Sequence, residues 1–283
     1  MALRRKVVAE IPVFDFLRAR FWQRVSPVSL APNESGLPDR FRGRPVIAQP
    51  HADVATEGSN PRSKALPEHR GRPLPIIDLG RSVFAPEEIL LFDRQAAAFS
   101  QDYRMATSRR SALLTSDGEI ELAHALDHRM RRLLGRSLRL RLVAAGSCGG
   151  CEAELAALSN VVFDMARFGI QFVASPRHAD GIVIAGAISA NMRDALEKTY
   201  EAVPDPRIVV AVGACAISGG VFAESEAVLG GVPPSIPVDL WVPGCPPHPL
   251  TVLDGLLRLL GRLEDSSNTA SAATGDATLV PLP

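Results

Sequence analysis

Four cysteines are the residues of this 283-residue chain whose type and spacing could do chemistry: Cys148, Cys151, Cys215 and Cys245. Two form a Cys-Gly-Gly-Cys pair and two stand alone. The basic N-terminus is not followed by the apolar core of a secretory signal, so we expect a cytoplasmic protein whose thiols stay reduced. Four such thiols indicate a metal ion, an iron–sulfur cluster or a redox dithiol.

The elements predicted around the cysteines bring them together. Short β-branched segments alternate with helical ones from residue 137 onward, which predicts a doubly wound parallel α/β sheet. The predicted strands are 138–144, 171–174, 181–185, 208–212 and 239–242, and the predicted helices are 152–168, 191–202 and 249–263. Every cysteine follows the carboxyl end of a predicted strand, and ligands bind at the edge that these ends share. We therefore predict one four-thiolate site.

The three cysteine loops are rich in glycine and proline, which suits the close approach of a backbone to a bulky group. Four thiolates fit a zinc ion or an iron–sulfur cluster. Three separate loops in a domain large enough to fold alone favour the cluster over zinc. Four unlinked buried cysteines and a thioredoxin-like dithiol stay open. Flavin or nucleotide binding also stays open, although the chain has no Gly-x-Gly-x-x-Gly or Walker pattern.

Several motifs occur in an order that resembles a known family: Gly146-Ser-Cys-Gly-Gly-Cys-Glu-Ala-Glu-Leu155, Arg167-Phe-Gly-Ile170, Ser175-Pro-Arg-His-Ala-Asp180, Gly213-Ala-Cys-Ala216 and Val242-Pro-Gly-Cys-Pro-Pro247. Over residues 138–263 the chain resembles the small iron–sulfur subunit of membrane-associated nickel–iron hydrogenases. That family is related to the 20-kDa subunit of respiratory complex I. The resemblance implies a flavodoxin-like domain that holds one 4Fe-4S cluster through the four cysteines, next to a large catalytic subunit.

The spacing of the first two cysteines separates two branches of that family. In the complex I branch that this chain resembles, the first loop carries two adjacent cysteines. Cys148-Gly-Gly-Cys151 is instead similar to the first loop of the hydrogenase branch. The resemblance therefore implies an electron-transfer subunit, which carries electrons between the nickel–iron site of a hydrogenase large subunit and other redox subunits. The alternative is a complex I-like NADH–quinone oxidoreductase subunit, with a 49-kDa-like partner and the cluster next to a quinone site.

The same resemblance implies further partners and a location. A ferredoxin-like subunit and membrane subunits complete such complexes, and we expect the chain to be attached through them to the inner face of the cell membrane. Nucleic acid is not an expected partner, since no compact Lys/Arg run with interleaved aromatic residues occurs.

Charged residues near the cysteine motifs are further candidates. Glu152 and Glu154 follow Cys151 at a predicted helix start, where the helix dipole favours carboxylates. By resemblance, Glu154 matches an acidic position of the family, and we predict that it transfers protons towards the partner's active site. Arg177 and His178 lie between two predicted strands, where a cation near a cluster would raise its potential. An ion pair of Arg177 with Asp180 that fixes the loop is the alternative.

The N-terminal half differs from the rest in charge. Residues 1–140 hold 23 of the 31 Lys and Arg residues but only 16 of the 31 Asp and Glu residues, which predicts an arm that docks on something acidic. We divide the chain into an amphipathic helix (10–25) and Pro-rich linker within 1–75, a small unit at 76–136, the cluster domain at 137–264 and an unordered tail at 265–283. The expected fold is thus a flavodoxin-like α/β sheet with an irregular N-terminal extension.

Within the small unit at 76–136, the segments Asp78–Phe92 and Asp102–Thr107 are similar to the ferredoxin-type subunit of the same complexes. In it we predict a strand at 76–79 and helices at 86–92 and 120–134. The bacterial ferredoxin spacing would require cysteines at the positions of Ser82, Ala85, Glu88 and Phe92. Because none of these supplies a thiolate, we predict a degenerate ferredoxin-like segment that docks without a cluster. An unrelated helical extension is the alternative.

Overall fold

The computed structural model describes residues 28–30, 37–38, 40–47, 76–85, 97–115, 119–146 and 148–263. The strands within these residues are β1 (Pro45–Ile47), β2 (Ile77–Asp78), β3 (Ala97–Phe99), β4 (Leu114–Thr115), β5 (Leu138–Ala144), β6 (Ile170–Phe172), β7 (Gly181–Ala185), β8 (Ile208–Val212) and β9 (Leu240–Val242). The α-helices within them are α1 (His128–Leu134), α2 (Gly150–Ala157), α3 (Arg193–Glu201), α4 (Gly213–Ser218) and α5 (Pro249–Leu259).

The main sheet is five-stranded and parallel, in the order β6-β5-β7-β8-β9. Counted along the chain, its strands therefore follow the flavodoxin order 2-1-3-4-5, in which the order reverses between β5 and β7. This reversal opens a crevice at the carboxyl ends of those two strands. The predicted flavodoxin-like fold is confirmed.

Both faces of the sheet are covered, which explains why its central strands are apolar throughout. Leu140, Val210 and neighbouring side chains on one face pack against α2 and α5. Ile182, Val209 and their neighbours on the other face pack against α3 and α4. β7 and β8 are buried at every residue, as parallel strands covered on both sides must be.

Several predicted boundaries are corrected by local chemistry. The helix predicted at 152–168 ends at Ala157, because the Asn160 side chain accepts the backbone N–H groups of Val162 and Phe163 and turns the chain. The helix predicted at 120–134 begins only at residue 128, where the Asp127 side chain caps it by accepting the N–H of Met130. Helix α4 was not predicted.

The N-terminal extension packs on the sheet domain and shares its core. Leu79, Phe84 and Met105 belong to the same buried cluster as Ile182 and the second face of the sheet. Backbone bonds between Thr107 and Trp241 continue the sheet beyond β9, which protects that edge strand. Two short antiparallel pairs, β1 with β3 and β2 with β4, complete the described part of the extension.

Some predictions fall outside the described residues. They are the helix at 10–25, most of the Pro-rich linker, the helix at 86–92 with Glu88 and Phe92, and the tail after 264. Among the described residues, no helix has the length and apolarity needed to span a membrane.

Candidate functional site: three cysteine loops at one edge of the sheet

The first cysteine loop leaves the carboxyl end of β5 at the point where the strand order reverses. The Gly146 carbonyl accepts the N–H of Ala187, which ties this loop to the segment after β7. Cys148 is exposed, and Cys151 lies buried in the first turn of α2. The loop thus presents one thiol to the surface and one to the interior.

The second cysteine loop follows β8 and enters α4 directly. Gly213, with φ of +89°, lies against the first loop, because a Cβ built on it would be 2.6 Å from the Sγ atom of Cys151. Gly220, with φ of +56°, lies against the sulfur of the buried Cys215, and its Cβ would be 2.8 Å from that atom. Side chains at these two positions would therefore collide with the sulfur atoms.

The third cysteine loop follows β9 and completes the convergence. Its Gly244 carbonyl accepts the N–H of Ala214 at 2.8 Å, which joins it to the second loop. A Cβ built on Gly150 would be 3.7 Å from the ring of Pro246 and 3.5 Å from the sulfur of Cys148, so the third loop also meets the first. Cys245 itself is exposed. All three loops are in mutual contact.

The thiols interact electrostatically as one group. Burial, and then the charges of Cys215, Glu152, Cys245 and Cys148, raise the pKa of the Cys151 thiol to about 12. Burial also raises the pKa of Cys215, with Cys245 and Cys148 as the next contributors. The buried thiols consequently hold their protons until a cation displaces them. In the described residues, no three His, Cys, Asp or Glu side chains are close enough to hold a single metal ion.

The two predicted glutamates both lie on α2 beside this site. Glu152 is half-buried and acts electrostatically on Cys151 and Cys215. Glu154 is also half-buried, and burial raises its pKa. Its side chain lines a cleft together with Cys245. The structure thus brings both carboxyl groups to the cysteine edge.

Arg177 and His178 lie at the other edge of the sheet. They form a short 3-10 turn that leads into the amino end of β7, whereas the cysteines follow the carboxyl ends of the strands. The expectation that these two side chains lie near the cysteines is therefore corrected. The expected pairing of Asp180 with Arg177 is corrected too, since Asp180 pairs with Arg139 at 3.4 Å.

A cleft of about 290 Å³ opens beside Cys245. Phe84 and Pro246 contribute apolar walls. Thr251 lies next to the cleft but is fully buried, and its hydroxyl has no hydrogen-bond partner in the described part of the chain. Arg40 and Arg42 of the N-terminal extension also line it. Sequence reasoning missed both arginines, because no motif or spacing connects them with a cysteine loop.

The chain was compared with known proteins. Residues 148–259 match the family described as NADH ubiquinone oxidoreductase, 20 Kd subunit. The chain is 43% identical over 129 residues to formate hydrogenlyase subunit 7 of Escherichia coli, covering 46% of this chain and 51% of the relative. It is 47% identical over 116 residues to one subunit of the NADH-quinone oxidoreductase of Heliobacterium modesticaldum, covering 41% of this chain and 66% of the relative.

A shorter relative is matched over more of its length. The probable membrane-bound hydrogenase subunit mbhJ of Pyrococcus furiosus is 41% identical over 132 residues, which are 47% of this chain and 79% of the relative. The chain therefore spans about half to four fifths of the relatives it matches. With a matching family model and a relative covered this far, the chain belongs to the 20-kDa subunit family of NADH–ubiquinone oxidoreductase, a family of oxidoreductase subunits that includes hydrogenase-related members.

Proposed function

We propose that this chain is the electron-transfer subunit of a multisubunit oxidoreductase and that Cys148, Cys151, Cys215 and Cys245 hold one 4Fe-4S cluster. The observation that carries the proposal is the mutual contact of the three cysteine loops at the carboxyl ends of the strands, with the first loop at the point where the strand order reverses. A flavodoxin-like sheet binds its ligand at this place. When bound, such a cluster takes up and releases single electrons without making or breaking bonds to a substrate.

The residues present fit that group. Thiolates are the ligands that iron–sulfur clusters use, and four are available on loops that meet. Gly213 and Gly220 leave space directly beside the sulfurs of Cys151 and Cys215, where any side chain would collide with them. A four-iron cluster is wider than one ion, so its thiolates lie further apart than the four ligands of a structural zinc. Zinc remains the competing occupant.

The chain's own residues define the surroundings of that position. Two of its thiols are buried and two are exposed, so the site is open on the side of Cys148 and Cys245. We infer that a large catalytic subunit covers this side, and that Glu154 exchanges a proton across the same contact. The half-buried Glu152 adds negative charge next to Cys151.

The proposed assembly is that of a hydrogenase. The Cys148-Gly-Gly-Cys151 spacing favours a nickel–iron large subunit as partner, together with ferredoxin-like and membrane subunits. The relatives include a subunit named as part of a membrane-bound hydrogenase. We therefore infer a peripheral position at the inner face of the cell membrane, reached through those partners. Residues 76–136 would dock in this assembly without a cluster of their own.

Iron analysis and spectroscopy of the full chain, isolated without oxygen together with its co-purifying subunits, test the cluster. The expected result for the separated chain is four irons and a broad brown absorbance that dithionite bleaches. Replacing any one of the four cysteines by serine should lower the iron content, while Ser189→Ala, which leaves the thiols intact, should not. Eight irons would contradict the degenerate ferredoxin segment, and one bound zinc or a flavin spectrum would contradict the cluster.

A second candidate function is that of a quinone-reducing subunit. The cleft beside Cys245 supports it, because the cleft combines apolar walls with the polar side chains of Arg40, Arg42 and Glu154. Apolar walls with a few polar groups suit a ring with carbonyl oxygens. The identity of the large subunit that co-purifies with the chain distinguishes the two candidate functions. Two Cys-x2-Cys pairs in it and hydrogen-dependent dye reduction support the hydrogenase, and hydrogen-independent quinone reduction supports the alternative.

A further inference from the structure

The segment Arg40–Arg42 of the N-terminal extension lies against the third cysteine loop. The ring of Phe41 meets His248 edge-on, with ring centres 5.3 Å apart. Arg42 Nη1 donates a hydrogen bond to the Phe84 carbonyl at 3.1 Å, and both arginines line the cleft that Cys245 also lines. This segment lies outside the family-matched residues 148–259. N-terminal residues of this chain therefore form one wall of the cleft beside Cys245.

The backbone fixes where this segment runs. The N–H groups of Gly43 and Arg44 donate to the carbonyls of Ser100 and Asp102 at 2.8 and 2.9 Å. Gly43 is packed so closely that a Cβ on it would lie 2.1 Å from the Asp102 carbonyl oxygen. Arg44 also pairs with the Asp102 carboxylate at 3.7 Å. These contacts hold the backbone at Gly43 and Arg44, and so set where Arg40 and Arg42, just before them in the chain, leave it.

The charges that face the cleft sum to a positive value. Arg40 and Arg42 are cations with no carboxylate partner in the described ranges. The other titratable groups that line the cleft with Cys245 are Glu154 and His248. Burial lowers the pKa of His248, which keeps its ring neutral near pH 7. At most one negative charge from Glu154 therefore opposes two positive ones.

The arginines and the cysteine position share one cleft. Arg40 and Arg42 line it together with Cys245, and charges that face one another across a shared cleft are screened by salt less than charges on separate surfaces. Reduction adds one negative charge to a group held by the cysteines, and nearby cations stabilise the added charge.

We propose that the positive charges of Arg40 and Arg42 in the extension raise the reduction potential of the group held by the four cysteines. The inference rests on the proposed function, since it requires a one-electron group at that position. It gives the N-terminal extension a role at the cysteine site. It also replaces the role predicted for Arg177 and His178, which lie at the opposite edge of the sheet.

A redox titration tests this in the full chain with its co-purifying subunits, with the reduced cluster followed by electron paramagnetic resonance. Arg40→Gln and Arg42→Gln should each lower the midpoint potential, and the double variant should lower it further. A tenfold fall in the ratio of reduced to oxidised cluster at a fixed ambient potential corresponds to about 59 mV for one electron. Arg42→Lys, which keeps the charge but alters the hydrogen bond to Phe84, should keep the wild-type potential.

The matched control is Arg129→Gln, which removes one exposed arginine from α1 at the other edge of the sheet. Raising the salt concentration should lower the wild-type potential towards that of the double variant, because salt screens exposed charges. Equal potentials for the double variant and the Arg129→Gln control would overturn the inference. If instead wild-type protein lacks a four-iron cluster, the proposed function itself fails, and the iron content distinguishes the two failures.

Discussion

Gly213 touches the sulfur of Cys151 across two of the cysteine loops, so tightly that a methyl group on Gly213 would overlap the thiol. The contact joins the carboxyl end of β8 to the first turn of α2. Because Gly213 also has a positive φ of +89°, both its backbone conformation and its surroundings require glycine. The geometry of the site depends on the absence of a side chain at this position.

Gly213→Ala should therefore displace the Cys151 thiol and lower the iron content of the chain well below that of wild type. Gly230→Ala is the matched control, since Gly230 also has a positive φ, of +71°, but no atom within 4 Å of the added Cβ. Urea unfolding should show a loss of about 1–2 kcal/mol from backbone strain in Gly230→Ala and a larger loss in Gly213→Ala, where the overlap with the Cys151 sulfur is added. Only Gly213→Ala should lose iron, and equal iron in the two variants would contradict the proposed contact.

The buried ion pair of α5 gives a prediction about stability. Arg258 Nε donates to Asp254 Oδ2 at 2.9 Å, and the two side chains are only 7% and 3% exposed. Asp254→Ala removes the carboxylate and leaves the guanidinium buried, which should lower the free energy of unfolding by about 3–5 kcal/mol. Urea unfolding of the full chain measures this difference.

Two further variants sharpen that test. The double replacement Asp254→Leu with Arg258→Met should recover most of the loss, because it removes both buried charges and keeps the volume. Glu197→Gln breaks the exposed pair with Arg193 at the same i,i+4 spacing, and it should cost less than about 0.5 kcal/mol. A loss of similar size for the buried and the exposed pair would rule out desolvation as the cause.

The position of the cysteine site was predictable because it follows from topology. Parallel strands have their carboxyl ends at the same edge of the sheet. The residues that follow Ala144, Val212 and Val242 therefore lie near one another, regardless of the length of the helices between the strands. Only strand assignment was needed, and the apolar β-branched runs of β7 and β8 supply it. The short helix α4 was missed because its six residues do not span two turns, so no helical period is visible.

The arginines near the site could not be predicted in this way. Arg177 is close to strands in sequence, but the turn that holds it precedes β7 and so lies at the amino edge. Arg40 and Arg42 are distant in sequence and reach the cleft through the pairing of β1 with β3, which no local pattern specifies. The end of α2 did carry a signal, since Ser159 and Asn160 favour a turn over a helix interior.

Asp239 predicts a pH dependence of stability. Burial raises the pKa of this carboxyl, although it accepts the Val209 N–H at 2.8 Å. As the pH rises, the unfolded chain ionises first, so the contribution of Asp239 to stability is present below the ordinary pKa and is lost as the pH passes the raised value. Asp239→Asn removes this loss and should gain stability relative to wild type as the pH rises above about 4, the ordinary pKa of an aspartate. Asp194→Asn on the exposed side of α3 is the control. An equal gain in stability in both variants would contradict the burial argument.

Glu154 should matter for proton movement and not for cluster binding. Burial raises its pKa, so the carboxyl holds a proton at higher pH than an exposed glutamate and can exchange it closer to neutral pH. Glu154→Gln should keep the iron content and the paramagnetic signal of wild type but lower proton-coupled turnover of the assembled enzyme by about 100-fold. Electron transfer through the chain to an artificial dye should be unchanged. Glu201→Gln, at the exposed end of α3, should keep full turnover, and a Glu154→Gln enzyme that did the same would exclude a proton-transfer role for this residue.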